Sequence, residues 1–447
     1  MSTPAAARLR WTQVVRLGLV QAALGAIVVL TTSTLNRIMV VELTLPAIVP
    51  GLLVGLHYAV QLARPRLGHG SDVGGRCTPW IVGGMAVLAL GGALAALATV
   101  WIASRPSAGI GLAVAAFGLI GLGVGASGTS LLVLMAKRVD PAHRAAAAAT
   151  VWLMMIAGFV VTATVAGTLL DPYSPARLLA VCGSVCLLAF ATAAIAVTGI
   201  EGPRGSAAPS TDAAAPSQFR DALAAAWADP TARRFTIFVF ISMLAYSAQD
   251  LILEPFAGLV LGFTPGESTR LSGVQHGGVL AGMLLAGAVG SRCRGRGIGS
   301  LRGWTVGGCL ASALAMAGLV AAGSVGADWP FKQTVFALGV ANGAFSIAAI
   351  GTMMQLAGEG LPHNEGVRMG LWGAAQAIAF ALGGLLGTGA SDLARRWLEQ
   401  PGPAYGCVFA LEAVLFVVSA VIASRVSIAT ATPPGHRADA WAASHAG

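Results

Sequence analysis

Two histidines and two polar clusters stand out because each interrupts an otherwise apolar run. His57 lies in Gly55-Leu-His-Tyr-Ala and His276 in Gly273-Val-Gln-His-Gly. An imidazole so placed can ligate a metal centre, relay a proton or hydrogen-bond across helices. A satisfied core histidine is the plainer reading, and for both residues the alternatives stay open. Asn36, Arg37 and Glu42 form one cluster, and Gln249, Asp250 and Glu254 form the other, within Tyr246-Ser-Ala-Gln-Asp-Leu-Ile-Leu-Glu-Pro255. Ionisable groups held in hydrocarbon are costly and normally pair or line a cavity. The expectation is that Arg37 pairs with Asp250 or Glu254, holding a bundle shut at a point that can also open as a gate. Asn342, Gln376 and Glu412 are further polar groups in apolar runs, where interhelical hydrogen bonding is the modest expectation. Trp152 and Trp372 closely follow polar loops, as interface anchors do. A partner surface is the alternative for both.

The elements that must position these groups are membrane-spanning helices. Of the 447 residues 56% are hydrophobic and only 10% charged, against roughly 25% charged in soluble proteins. So few charges cannot cover a soluble protein of this size. Glycine reaches 59 residues, which suits helices whose backbones approach closely in a bilayer. On a ruler of about 20 apolar residues per span, spans fall near 14–35, 46–63, 80–103, 109–135, 147–170 and 177–199. Six more fall near 234–256, 271–291, 303–324, 331–356, 369–390 and 404–425. The expected domains are a six-helix bundle over 1–199, a linker over 200–233, a second six-helix bundle over 234–427 and a disordered tail over 428–447. Within the linker, 219–227 has the pattern of a short amphipathic helix on the membrane surface. The first apolar stretch is too long for a cleavable signal peptide.

The net charge of +9 could suggest a nucleic-acid partner, but the basic residues sit in short loops between apolar runs. With twelve spans both termini share one side, and twenty of the 27 Lys and Arg fall on that side against seven on the other. By the positive-inside rule the termini are cytoplasmic. The six cysteines include no C-x-x-C pair and no zinc spacing, so neither disulfides nor a thiolate metal site is expected. A P-loop, an H-E-x-x-H, a G-x-S-x-G and the D-x-x-x-D of membrane prenyltransferases are all missing from the sequence. Nothing assembles nucleophile, base and electrophile, and the chain reads as a non-enzyme.

Landmarks recur at matching places in the two halves. His57 precedes Gly68 by eleven residues and Asp72 by fifteen; His276 precedes Gly287 by eleven and Ser291 by fifteen. Pro141, Trp152 and Asp171 are likewise echoed by Pro362, Trp372 and Asp392. The loop Gly68-His-Gly-Ser-Asp72-Val-Gly-Gly75-Arg76 resembles the G-x-x-x-D-x-x-G-R signature of the major facilitator superfamily. That resemblance implies a conformational latch made by Gly68, Asp72, Gly75 and Arg76. Glycines permit the tight turn, Asp72 can meet a helix N-terminus, and Arg76 can bond a carboxylate across the bundle. An ordinary polar hairpin is the alternative. The second-half counterpart has Ser291 in place of the acid, so a latch there is weaker or built differently. Two parallel six-helix repeats are the architecture of that superfamily.

Longer motifs narrow the resemblance. Leu35-Asn-Arg-Ile-Met-Val-Val-Glu42-Leu-Thr-Leu-Pro46, Ala248-Gln-Asp-Leu-Ile-Leu-Glu-Pro255-Phe-Ala-Gly258, Ser272-Gly-Val-Gln-His-Gly-Gly278 and Arg368-Met-Gly-Leu-Trp372-Gly-Ala-Ala-Gln376 stand in order along the chain. They are similar to the PucC/LhaA-type bacteriochlorophyll-associated family of the major facilitator superfamily. The resemblance spans nearly the whole chain apart from the central linker and the tail. It implies an assembly factor for photosynthetic light-harvesting complexes in the inner (intracytoplasmic) membrane of a purple bacterium. Such a factor binds or delivers bacteriochlorophyll as cargo and docks light-harvesting polypeptides. No resident cofactor is implied, and His57 and His276 become candidate axial ligands to the pigment's magnesium. The alternative function is a secondary transporter of a tetrapyrrole or other small molecule by alternating access.

Overall fold

The computed structural model describes residues 9–63, 76–140, 143–201, 224, 227–292, 300–358 and 365–426. It is all-helical. We number the helices α1 Trp11–Glu42, α2 Ile48–Val60, α3 Thr78–Ser104, α4 Pro106–Arg138, α5 Arg144–Leu170 and α6 Pro175–Val197. The second set is α7 Pro230–Leu261, α8 Pro265–Arg292, α9 Leu301–Val325, α10 Phe331–Gly358, α11 Glu365–Leu398 and α12 Pro401–Ser424. Eleven of these are long and apolar enough to cross a membrane. The exception is α2, whose 13 residues run on into a short 3-10 turn at Gln61–Ala63. Together with the neighbouring elements it still completes a six-plus-six arrangement.

Proline, which has no N–H to leave unpaired, opens several of the helices at their first turn, as at Pro106, Pro175, Pro230 and Pro401. Side chains of Ser174, Asp229 and Ser300 cap three N-termini. Outward-facing apolar side chains are abundant, with Leu314 75%, Ile195 71% and Leu187 68% exposed. In water they would form aggregation-prone patches; in lipid they are the solvated surface.

Helix packing repeats between the halves. In the first, α1 packs on α5 and α6, α3 on α4 and α6, and α2 on α4; in the second, α7 packs on α11 and α12, α9 on α10 and α12, and α8 on α10. Each half has its own apolar core. The halves meet along two seams, α5 against α8 and α2 against α11. Ile156, Val279 and Met283 form a small apolar cluster in the first seam. Helices alternate in direction, so both described chain ends lie on one face, the terminal face. There the backbone N–H of Leu9 bonds Arg138 O at 3.0 Å, and Arg16 Nε donates to Ala196 O at 3.0 Å. The opposite, far face carries the α1–α2 and α7–α8 turns.

Glycine matters most between α8 and α10. A Cβ on Gly282 would sit against the carbonyl of Val340, and one on Gly343 against the carbonyl of Val279. Neither obstacle is a side chain that can turn away. Gly282→Val is therefore expected to lower stability by about 1–3 kcal/mol, the usual range for overpacking. A drop in the detergent unfolding midpoint checks this; an unchanged midpoint would show that the two helices can separate freely.

Candidate functional site

Between the halves, near the far face, the two polar clusters of the sequence come together. Asn36 is buried and its Nδ2 donates to Leu251 O of α7 at 2.7 Å. Ser33 donates to the carboxylate of Glu254, and Thr34 Oγ1 shares a hydrogen bond with Thr269 of α8 at 3.0 Å. Arg37 is only 2% exposed. Its partner is not Asp250 or Glu254, as expected, but Glu42 on its own helix. The physical reason is local winding: Leu30–Thr34 and Ile38–Glu42 are π-helical. In an α-helix residues five apart lie well round the cylinder from one another, whereas π winding stacks them. Arg37 nevertheless reaches the other half, its Nη2 donating to Phe263 O at 2.6 Å. Asp250 accepts from Gln275 Nε2 of α8 at 3.0 Å. Gln249 is fully buried beside Asp250.

Two further carboxylates bridge the halves, neither of them a candidate from the sequence. Asp392 of α11 accepts from the backbone N–H of Ala47 at 2.9 Å and of Ile48 at 2.8 Å, which caps the start of α2 in the other half. Asp171, just after α5, accepts from Gly266 N at 3.2 Å and Thr264 Oγ1 at 3.1 Å and pairs with Arg270 at 3.3 Å, which caps the start of α8. A carboxylate at a helix N-terminus satisfies orphan donors and meets the positive end of the dipole. The two caps are counterparts, one at each seam. Their matching positions in the repeat were the available signal; the role was not readable.

At the terminal face Gly68, Asp72 and Gly75 lie outside the described residues. Arg76 approaches Glu201 at 3.9 Å. Glu201 accepts from the N–H groups of Cys77 at 2.5 Å and Thr78 at 2.7 Å, capping α3. Partial burial pushes its carboxyl up, but these bonds and Arg76 outweigh that and hold it below the usual carboxylate range. In the second half Arg368 bonds Asp229 at 2.6 Å and Leu356 O at 3.0 Å, tying α11 to α7 and α10.

The histidines sit at different seams and are not brought together. His57 is buried on α2, where the amide of Gln61 donates to its Nε2 at 2.8 Å. Beside it Tyr58 stacks on Phe380 of α11 with centroids 5.4 Å apart. His276 of α8 donates Nδ1–H to Ser272 O at 2.9 Å and meets Phe159 of α5 edge-on at 4.9 Å. A neutral ring bonded in this way carries its lone pair on Nε2. Asn342 accepts from Ser312 at 2.8 Å, Gln376 is half-buried, and Glu412 is buried on α12. Trp152 is 38% exposed on α5. Trp372 is not an anchor: it is 1% exposed and packs edge-on against Phe235 at 5.1 Å. It leaves α11 on the side that packs against α7, where Phe235 lies, and that buries it.

Twelve helices in two like-packed halves, meeting at paired seams, define a membrane protein of the major facilitator fold. Solved structures agree. The D-xylose-proton symporter superposes with a TM-score of 0.72 over 91% of this chain and 97% of its own, at 14% identity. A bacterial homologue of the human lysosomal transporter Spinster gives 0.64 over 95% and 98%, at 17% identity. The chain belongs to the PUCC family, whose model, described as "PUCC protein", matches residues 34–431. Among its relatives is the "Bacteriochlorophyll synthase 44.5 kDa chain" of Rhodobacter capsulatus, 54% identical over 94% of this chain and 96% of that protein. Another is "Protein PucC" of Cereibacter sphaeroides, 30% identical over 92% and 91%.

Proposed function

We propose that this protein is a non-catalytic assembly factor for photosynthetic antenna complexes, binding bacteriochlorophyll as cargo and docking light-harvesting polypeptides in the bacterial inner membrane, with both termini cytoplasmic. The observation that carries this reading is the 54% identity, across nearly the full length of both chains, to a relative named for bacteriochlorophyll. The geometry is compatible with it. His276 places an Nε2 lone pair at the α5–α8 seam, in the chemical form an axial ligand to magnesium needs. A lipid-facing groove of about 660 Å³ between α9 and α10 is lined by Gly303, Gly307, Ala311, Phe336, Ala337 and Ala344. Small residues in such a groove let a partner's single helix approach closely.

Deleting the gene in a phototroph should lower antenna absorbance while free pigment synthesis persists; normal antenna levels would overturn the proposal. A Cβ on Gly307 meets nothing within 4 Å, so Gly307→Leu should fold normally yet fill the groove. Complementing the deletant with this variant is expected to restore the protein but not the antenna, as read by whole-cell absorbance.

The second reading is alternating-access transport, favoured by the bonded closure of the far face. Uptake of a tetrapyrrole by purified protein in liposomes would support it, since a pure assembly factor moves nothing.

A further inference from the structure

Carboxyl groups are distributed unevenly between the two cores. Helices α1–α6 carry one acidic residue, Glu42, and it is paired with Arg37. The second half holds Asp250, Glu254 and Glu412 well inside its helices. Glu412 is the most isolated: it is 1% exposed, and neither of its carboxyl oxygens has a hydrogen-bond partner among the described residues. It lies eleven residues from the far-face end of α12 at Pro401, and Asp250 lies eleven from the far-face end of α7 at Leu261. At about 1.5 Å per residue the two sit at one depth on helices that pack together. Asp250 is the ionisable group that acts electrostatically on Glu412.

Among the described residues no base is placed to compensate Glu412. On α9, which packs against α12, the basic residue Arg302 bonds Ser424 O, twelve residues from Glu412. On α11, Asp392 and Arg395 reach Tyr405, seven residues away. On α7, beyond Asp250, Glu254 is bonded by Ser33. Asp250 itself accepts from Gln275 of α8 and is faced on its own helix by Tyr246, Gln249 and Glu254. An ionised carboxylate removed from water without a partner costs far more than a neutral acid, and a second carboxylate acting on it raises that cost. Among the described residues no three His, Cys, Asp or Glu side chains converge as they would around a metal ion. The occupant that fits two carboxyls and nothing else is a proton.

We propose that Glu412 and Asp250 form a proton-binding site inside the second half, with Asp250 as its entrance. Asp250 is half-buried while Glu412 is sealed. Tyr246 beside Asp250 packs on Phe380, which in turn meets Tyr58 of the first half. Asp250 thus stands one helical turn from the aromatic contacts that join the halves, and a proton passing from its carboxyl to that of Glu412 leaves one group neutral and the other charged. This site is independent of the assembly reading and holds whether or not the protein moves a solute.

The test is infrared spectroscopy of the purified full chain in lipid nanodiscs. At neutral pH the wild type should show a carbonyl stretch of a protonated carboxylic acid that downshifts in D2O. Glu412→Gln should delete that component and Asp250→Asn should shift it, while Glu254→Gln leaves it in place. Glu412→Asp, which retains the acid, should move the band without removing it, and decides the matter if the glutamine variant does not fold. A wild type without such a band, or a band indifferent to both Glu412 substitutions, would overturn the site.

Discussion

Glu42→Ala is expected to destabilise the protein more than Arg37→Met does, although each removes one end of the same ion pair. The asymmetry follows from burial. Arg37 is 2% exposed and Glu42 35%. Removing Arg37 leaves a carboxylate that water already reaches, plus the Phe263 carbonyl without its donor. Removing Glu42 leaves a guanidinium that cannot be deprotonated in a site almost closed to solvent. Stranding one member of a buried pair costs about 3–5 kcal/mol, and Glu42→Ala should approach that range while Arg37→Met stays well below it. Glu254 is the fallback partner, since the field of Arg37 reaches it, so Glu42→Ala with Glu254→Gln should be worse than either alone. Denaturant unfolding of the four variants in detergent gives the comparison. Equal costs for Glu42→Ala and Arg37→Met would mean that water reaches Arg37.

The second large effect is on shape rather than stability. Asp392 holds two backbone N–H groups of the opposite half. A hydrogen bond to a charged group contributes about 1.5–3 kcal/mol, so Asp392→Ala should shift the balance between closed and open far faces by roughly ten- to a hundredfold. Asp171→Ala should act similarly at the other seam, and the double variant more strongly. Spin labels at the far-face ends of α2 and α11 should report a longer distance population in Asp392→Ala. The same labels across α5 and α8 should report it in Asp171→Ala. No change in either would locate the closure elsewhere, in the contacts of Asn36 and Arg37.

Much of this architecture was legible because hydrophobic length is a one-dimensional property. Eleven spans could be read from apolar runs alone, and α2 was harder because Gln61 and the glycine-rich sequence after it blur its end. The coincidence of the two polar clusters was also readable, since α1 and α7 hold equivalent places in the repeat. Partner identity was not. Pairing Arg37 with the second half assumed α-helical winding between residues 37 and 42, and the π turn there defeats that assumption. Asp171 and Asp392 were visible as matching landmarks, but their partners are backbone N–H groups 95 and 345 residues away, which side-chain patterns cannot reveal. Trp372 was misplaced because nearness to a loop says nothing about which side of a helix an indole leaves from.

The π turns of α1 have a mechanical consequence. Each stores one surplus residue within a continuous, fully hydrogen-bonded rod. Letting one relax to ordinary winding would swing everything beyond it by about 100°. Relaxing the second turn would part Glu42 from Arg37, and relaxing the first would carry Arg37 away from Phe263, without melting a single turn. The first helix is thus built like a ratchet pawl, able to let go of the opposite half by twisting in place.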